Sequence, residues 1–130
     1  MIIQRALTSV VIGTAISSFA IAQQTKAQTK VTGIFSDLNY VEEAGDLIGM
    51  EVFIFFAGEP RVLYQESAGE PMEPSLVKAR IQGDSIEFTV PQLGGGHRTF
   101  KGRITKTHLI GKFTGSRETI KLPRRSSYWQ

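Results

Sequence analysis

Four acidic side chains lie close together in the stretch FSDLNYVEEAGDLIG, residues 35–49. They are Asp37, Glu42, Glu43 and Asp46. Carboxylates grouped in this way could bind Ca²⁺ or act as a catalytic acid–base pair. The order Asp37-x-Asn39 begins like a calcium-binding loop, but the third ligand, the turn glycine and the terminal glutamate are missing at the required spacing. The favoured interpretation is a five-residue hairpin loop with solvated acids, in which Gly45 adopts a positive φ angle.

The two histidines, His97 and His108, are the other side chains suited to catalysis or metal binding. Neither stands in an HxH or HExxH pattern, and the chain has no cysteine that could supply a thiolate. The serine elbow G-x-S-x-G of many hydrolases is absent. The three glycines at 94–96 lack the following helix or Lys-Ser/Thr pair of a phosphate site, so they predict a flexible loop. We therefore predict no enzyme, metal or cofactor, and an enzyme using the hairpin carboxylates is the least favoured alternative.

Short strand patterns separated by turn sequences account for most of the chain after residue 30. The predicted strands are residues 31–41, 47–57, 61–66, 75–82, 85–91, 98–105, 108–115 and 118–122. Turn sequences such as AGEP and QLGGGH separate them, and no segment sustains a helical period. Several strands alternate an apolar face with a polar one, as in Ile86, Phe88 and Val90. The pattern predicts an all-β fold, a small antiparallel up-and-down barrel of about eight strands, because closure leaves no open sheet edge.

The stretch FKGRITKTHLIGKF, residues 100–113, reads nearly the same in both directions. Folding it into a hairpin produces three cross-strand pairs: Phe100 with Phe113, Gly102 with Gly111, and Ile104 with Leu109. The two strands therefore carry the same pattern of inward-facing residues, in opposite chain directions. Lys-Thr suits a two-residue primed turn poorly, so the sequence predicts a four-residue loop over residues 105–108.

The Gly–Gly pair between two aromatic rings leaves room inside the predicted barrel. A side chain from another strand fills that room in the favoured interpretation, and a small apolar ligand fills it in the other. The residues of such a ligand site would be Phe88, Phe100, Gly102, Gly111 and Phe113.

The run VFIFF, residues 52–56, is apolar on both faces of its predicted strand. The inward set would be Ile48, Met50, Val52, Ile54 and Phe56. Phe53 and Phe55 would then point outward beside Glu51, and exposed neighbouring aromatic rings are commonly covered. Either the C-terminal residues 126–129 fold back over them, or a second protein docks there. The predicted interaction surface comprises Phe53, Phe55, Tyr128, Trp129, Lys101 and Lys112.

Opposite charges are divided between the two halves of the chain, although the net charge is only +3. Residues 31–73 contain nine acids and one base, whereas residues 97–125 contain nine lysines and arginines and one acid. Such blocks either form a partner surface or cancel in the fold, and cancellation is the favoured interpretation. Lys101 would face Lys112 across the hairpin, which is destabilising unless an acid such as Glu87 pairs with them or an anionic partner binds, and internal pairing is the favoured interpretation. No aromatic-interleaved stacking pattern accompanies the basic tail Arg124-Arg125 and the nearby lysines, and the expected export argues further against it, so we predict no nucleic-acid partner.

The first 22 residues have the pattern of a secretory signal peptide. Arg5 precedes an apolar run over residues 6–16, and Ala20-Ile21-Ala22 forms a cleavage pattern. The apolar run is shorter than the roughly 20 residues that a spanning helix needs. We therefore expect a signal peptide over residues 1–22, a flexible leader over 23–30 and one domain over 31–130. The mature protein would lie in the periplasm or outside the cell, with no membrane span, held by packing alone because it lacks disulfides.

Two stretches carry a resemblance to known proteins: FSDLNYVEEAGDLIG and the terminal LPRRSSYWQ. They resemble a group of small exported bacterial proteins without an assigned activity, so the resemblance implies no residue role. The apolar-x-Gly-x-apolar strands are also similar to those of calycin-type barrels, which implies binding of small ligands. The expected function is a non-enzymatic module that binds a small apolar molecule. The alternative is a protein-interaction or inhibitor module whose partner is another protein, with the oligomeric state left open.

Overall fold

The computed structural model of the chain describes residue 13 and residues 28–130. The predicted signal peptide and most of the predicted leader lie outside these residues. Within the described part of the chain, no helix has the length and apolar character needed to cross a membrane.

Residues 28–130 form an all-β barrel of nine antiparallel strands, which confirms the predicted class. In chain order the strands are β1 (Gly33–Ser36), β2 (Asn39–Val41), β3 (Asp46–Phe56), β4 (Pro60–Gly69), β5 (Ser75–Gln82), β6 (Ser85–Pro91), β7 (His97–Ile104), β8 (His108–Phe113) and β9 (Ile120–Pro123). Each strand pairs with its sequence neighbour from β3 to β9, while β1 and β2 both pair with β3. Most neighbours are therefore joined by short loops.

Pairing between the first and last strands nearly closes the barrel. Phe35 of β1 forms a bridge with Arg124, the residue after β9, and the Arg125 amide donates to the Ile34 carbonyl oxygen at 3.1 Å. This near closure leaves little free sheet edge at which another strand could add.

The Arg124 side chain stabilises the contact between the first and last strands. Its guanidinium lies 4.5 Å from the centre of the Phe35 ring and donates to four backbone carbonyl oxygens. The acceptors are Thr32 and Lys30, both at 2.6 Å, Lys106 at 3.1 Å and Thr105 at 3.2 Å. One side chain thus joins the segment before β1, the end of β9 and the β7–β8 turn.

The long first strand predicted over residues 31–41 is two strands, β1 and β2. The Asp37 backbone and side chain both bond to Met50, with Met50 N donating to Asp37 Oδ1 at 2.7 Å and Asp37 N donating to Met50 O at 3.0 Å. Opposite this break Gly49 has a φ of 119°, and a Cβ there would lie 2.6 Å from the Asp37 carbonyl oxygen. Only glycine fits this close approach, and the strand opposite it is interrupted between Ser36 and Asn39.

The positive φ of Gly49 alters which side chains of β3 face inward. Val52 and Ile54 are buried as predicted, and Met50 packs partly against the core. The inward assignment is wrong for Ile48, which is 49% exposed, and for Phe56, which is 55% exposed. Gly49 interrupts the alternation before Ile48 is reached, and Phe56 ends its strand at the rim of the barrel.

The interior of the barrel is a packed apolar core. Its members come from seven strands: Phe35, Val52, Ile54, Val62, Tyr64, Ile86, Phe88, Val90, Phe100, Ile104, Leu109, Phe113 and Leu122. The Phe88 and Phe100 rings stack with their centres 5.0 Å apart, and Phe113 meets Phe100 edge-on at 5.5 Å. The inner faces predicted for β6, β7 and β8 are confirmed.

Candidate functional site

The register predicted for the β7–β8 hairpin is confirmed. Phe100 pairs with Phe113, Gly102 with Gly111, and Ile104 with Leu109. The turn is closed by Thr105, whose amide donates to the His108 carbonyl oxygen at 2.8 Å and whose hydroxyl accepts from the His108 amide at 2.9 Å. No non-glycine residue in the described part of the chain has a positive φ, so Lys106 and Thr107 form no primed turn.

The Phe100 ring fills the space beside the two glycines. A Cβ on Gly102 would lie 2.6 Å from Phe100 Cε1, and a Cβ on Gly111 would lie 2.6 Å from Phe100 Cζ. The filling side chain therefore belongs to β7 itself and not, as expected, to another strand. A ligand among Phe88, Phe100, Gly102, Gly111 and Phe113 stays a prediction, and it would require the Phe100 ring to turn away.

A polar cluster of Tyr64, Glu66 and Arg98 lies inside one end of the barrel. Tyr64 Oη donates to Glu66 Oε2 at 2.8 Å, and the Arg98 guanidinium pairs with the same carboxylate while stacking 3.8 Å from the centre of the Phe113 ring. Burial, and then the hydrogen bond and charge of Glu66, raises the pKa of Tyr64 above its ordinary value. The phenol therefore stays protonated further into alkaline pH than a solvent-exposed tyrosine does.

Sequence reasoning missed this cluster, although alternation places Arg98 on the same face as Phe100. The Glu66–Arg98 ion pair joins the acidic half of the chain to the basic half. The other ion pairs of the described residues do not join the acidic half to the basic half: Arg61 and Lys78 pair with Glu59, and Arg80 pairs with Glu87. The expected cancellation of charge between the two halves is therefore seen directly in one ion pair, Glu66–Arg98.

The carboxylates and histidines that could do chemistry are not brought together. Gly45 has the expected positive φ of 68°, in a loop of four residues instead of five, and Asp37 is engaged by the Met50 amide. His97 begins β7 and His108 begins the antiparallel β8, so the two imidazoles lie at opposite ends of the barrel. Among the residues that the structure describes, no three His, Asp or Glu side chains are arranged to hold a metal ion.

The C-terminal tail, residues 126–130, folds back onto the outer face of β3 and β4. Glu51 accepts hydrogen bonds from the Ser127 hydroxyl and from the Tyr128 amide, the latter at 2.9 Å. The Trp129 indole donates to Gln65 Oε1 at 2.7 Å. Glu51 and Gln65 are directly paired neighbours on β3 and β4, so the tail lies along a polar row that crosses the strands.

Next to this polar row runs an apolar row that the tail leaves open. Its four members are directly paired across four neighbouring strands: Ile34 on β1, Phe53 on β3, Leu63 on β4 and Leu76 on β5. Phe53 remains 37% exposed, Leu63 38% and Leu76 60%, and the Phe55 ring lies 4.9 Å from that of Phe53. We call this set of four residues the apolar row.

A groove of about 430 Å³ lies over the apolar row, beside the tail. Ile34, Phe53 and Leu63 line it from the strands, and Trp129, itself 57% exposed, lines it from the tail. Pro74 also contributes to the lining. Among the polar lining residues, Glu51 and Gln65 are already hydrogen-bonded to the tail, and Ser127 and Gln130 belong to the tail itself.

The predicted interaction residues divide into two surfaces. Phe53, Phe55, Tyr128 and Trp129 lie together around the groove. Lys101 and Lys112 face each other on β7 and β8, which stand opposite β3 and β4 in the strand order. Of the exposed large apolar residues in the described part of the chain, all but Leu93 belong to β2–β5 or the tail.

Comparison of the chain with protein-family models, with curated proteins and with solved structures finds no match. The candidate site therefore rests on the geometry of the groove and the residues around it.

Replacing Glu51 with alanine is expected to release the C-terminal tail. The tail loses two hydrogen bonds to a charged acceptor, which together contribute about 3 kcal/mol. Trp129 is the only tryptophan, so its fluorescence reports the tail directly, and acrylamide should quench it more strongly in the variant. Glu43→Ala, at an exposed position of the β2–β3 loop, is the control and should leave quenching unchanged. Equal quenching in Glu51→Ala and the unsubstituted protein would show that Glu51 does not hold the tail.

Proposed function

We propose that this protein is an exported, non-enzymatic binding module that holds an extended apolar segment of another protein in the groove beside the C-terminal tail. The apolar row carries the proposal. Ile34, Phe53, Leu63 and Leu76 form a continuous line across four strands, and most of that line stays open to solvent although the tail lies directly alongside.

The position of the tail favours a partner segment that lies across the strands. Its turn over residues 127–130 is anchored to Glu51 on β3 and to Gln65 on β4 through main-chain and side-chain hydrogen bonds. A partner segment on the apolar row would run beside it at the spacing of neighbouring side chains on one sheet face. Trp129 and Phe53 would contact such a segment from two sides, and buried aromatic anchors commonly dominate binding energy at protein interfaces.

The distribution of packing favours the outer groove over the barrel interior. Inside, Phe100 occupies the space beside Gly102 and Gly111, and the surrounding core residues are buried. Outside, apolar surface continues beyond the groove onto Leu76 and Phe55, so it extends across four neighbouring strands. A surface patch of this kind is typical of a protein interaction site.

Phe53→Ser is expected to weaken partner binding at least tenfold, because it removes the largest side chain from the centre of the apolar row. A photo-crosslinking amino acid at Leu76 would first mark the partner in cells, and titration with the purified partner would then give the dissociation constant. Leu93→Ser is the matched control, since it removes an exposed apolar side chain outside β2–β5 and the tail.

The proposal would be contradicted if Phe53→Ser and Leu93→Ser bound the partner equally well. It would also be contradicted if the crosslinker at Leu76 formed adducts only with a second copy of this chain, or formed none. Because Phe53 lies on the outer face, both variants should keep the thermal stability of the folded barrel closely enough for the comparison.

A further inference from the structure

Four cationic side chains occupy the outer face of β7, β8 and β9. They are Lys101, Arg103, Lys112 and Lys121, and all four are exposed. Lys101 is paired directly with Lys112, while Ile110 at the centre is paired with Arg103 on one side and Lys121 on the other. We call this set the basic face. Its β7 and β8 members stand opposite β3 and β4 of the groove in the strand order, whereas β9 adjoins β1.

No carboxylate in the described part of the chain forms an ion pair with the basic face. Glu87, the acid expected to compensate Lys101, is indeed its direct neighbour on β6. Its carboxylate, however, bonds to the Arg80 guanidinium at 2.7 Å. The expected internal pairing is therefore wrong in this respect, and four positive charges remain on three adjacent strands.

This arrangement has an electrostatic cost that the fold does not require. Like charges directly opposite each other on a sheet destabilise it, and exposed positions of a strand accept uncharged polar residues equally well. Most acids lie on the other half of the chain, where only Glu66 reaches a base of the basic half. The basic face thus projects an uncompensated positive field into solvent.

We propose that the basic face docks on the surface of a lipid bilayer that contains anionic headgroups. Lysine ammonium groups are strongly hydrated point charges on flexible stems, which suits a fluid array of phosphates without fixed positions. The face carries no exposed large apolar residue. Lysine is depleted in the cores of protein interfaces, where aromatic residues are enriched, so a second protein fits this surface less well.

Nucleic acid also fits the basic face less well than a bilayer does. Proteins that bind single strands stack bases mainly on exposed Phe, Tyr and Trp rings, and the outward positions of β7–β9 hold none of these: His97, Thr99, Lys101, Arg103, His108, Ile110, Lys112, Lys121 and Pro123. Docking through this face would leave the groove on the opposite side of the barrel free, so the inference is independent of the proposed function.

The test is flotation of the purified exported protein with vesicles of phosphatidylcholine alone or mixed with phosphatidylglycerol. We expect binding to the mixed vesicles at low salt, loss of binding at high salt, and no binding to phosphatidylcholine alone. Lys101→Gln combined with Lys112→Gln should weaken binding about 30-fold, from the typical contribution of each lysine near an anionic surface. The double variant should unfold at the same temperature as the unsubstituted protein or a higher one, because it relieves a like-charge contact.

Arg61→Gln combined with Lys78→Gln is the matched control. It removes the same charge from β4 and β5, outside the basic face, and should leave vesicle binding unchanged. An equal loss of binding in both double variants would overturn the inference, because net charge alone would then explain it. So would equal binding to both vesicle types, or binding to an acidic protein or to nucleic acid without binding to the anionic vesicles.

Discussion

Replacing Arg124 with alanine is expected to lower the free energy of unfolding by about 3 kcal/mol, since charged hydrogen bonds each contribute roughly 1.5–3 kcal/mol and those of one side chain are not additive. The guanidinium donates to the carbonyl oxygens of four residues in two separate segments and stacks on the Phe35 ring. Without it, the contact between β1 and the end of β9 loses these hydrogen bonds and the stacking interaction. Equilibrium unfolding in urea measures the change.

Arg117→Ala is the control for Arg124→Ala. Arg117 is exposed in the loop between β8 and β9 and takes part in no ion pair of the described residues. Its replacement should change the free energy of unfolding by less than about 0.5 kcal/mol. Arg124→Lys should recover only part of the loss, because an ammonium cannot reach both segments with a planar fork. Equal stabilities of Arg124→Ala and Arg117→Ala would contradict the role of Arg124 in closing the barrel.

Gly111→Ala is expected to destabilise the barrel by about 3 kcal/mol, the upper part of the usual range for overpacking a core. A Cβ on Gly111 would lie 2.6 Å from Gly102 Cα and equally close to Phe100 Cζ, and it would also press on the Lys101 carbonyl oxygen. Two of these three obstacles are backbone atoms, so a change of rotamer cannot relieve them. The midpoint and slope of urea unfolding measure the loss.

Gly83→Ala separates this steric effect from backbone strain. Gly83 has a φ of 60°, and no neighbouring heavy atom lies within 4 Å of the position that an alanine methyl group would take, so the substitution meets only the left-handed conformation. That costs about 1 kcal/mol. Gly111 lacks a positive φ, so its larger loss would arise from close packing between β7 and β8. A loss at Gly111 no larger than that at Gly83 would contradict the packing.

The hairpin of β7 and β8 was predictable because the alternation of its side chains indicates how the two strands pair. Phe100, Gly102 and Ile104 repeat in reverse as Leu109, Gly111 and Phe113, and only one register pairs ring with ring and glycine with glycine on the inner face. The same alternation correctly predicts the buried residues of β6. It fails at Ile48, because the positive φ of Gly49 interrupts the strand there.

The role of Arg124 was not predictable from the sequence, which shows it only as part of a basic C-terminal segment. Its nearest acceptors are main-chain carbonyl oxygens of Thr32 and Lys30, more than 90 residues away along the chain. Every residue has a carbonyl oxygen, so no side-chain pattern marks these two. Only closure of the barrel brings them to Arg124.

The candidate site was predictable in part. Alternation places Phe53 and Phe55 on the outer face, and the C-terminal aromatic residues were one of two expected covers for them. The apolar row was not predictable, because it depends on the registers of β1, β3, β4 and β5 together. Lys101 and Lys112 were assigned to the same surface as Phe53, whereas the order of strands places them on the opposite side.

Binding of a partner to the apolar row, on the outside of the barrel, can be examined in the protein as the cell makes it. The experiment is native mass spectrometry of the protein extracted gently from the cells that make it. We predict a complex whose added mass is a polypeptide, present with Leu93→Ser and lost with Phe53→Ser. A small-molecule mass that Phe53→Ser retains, or a bare chain in every sample, would contradict the claim.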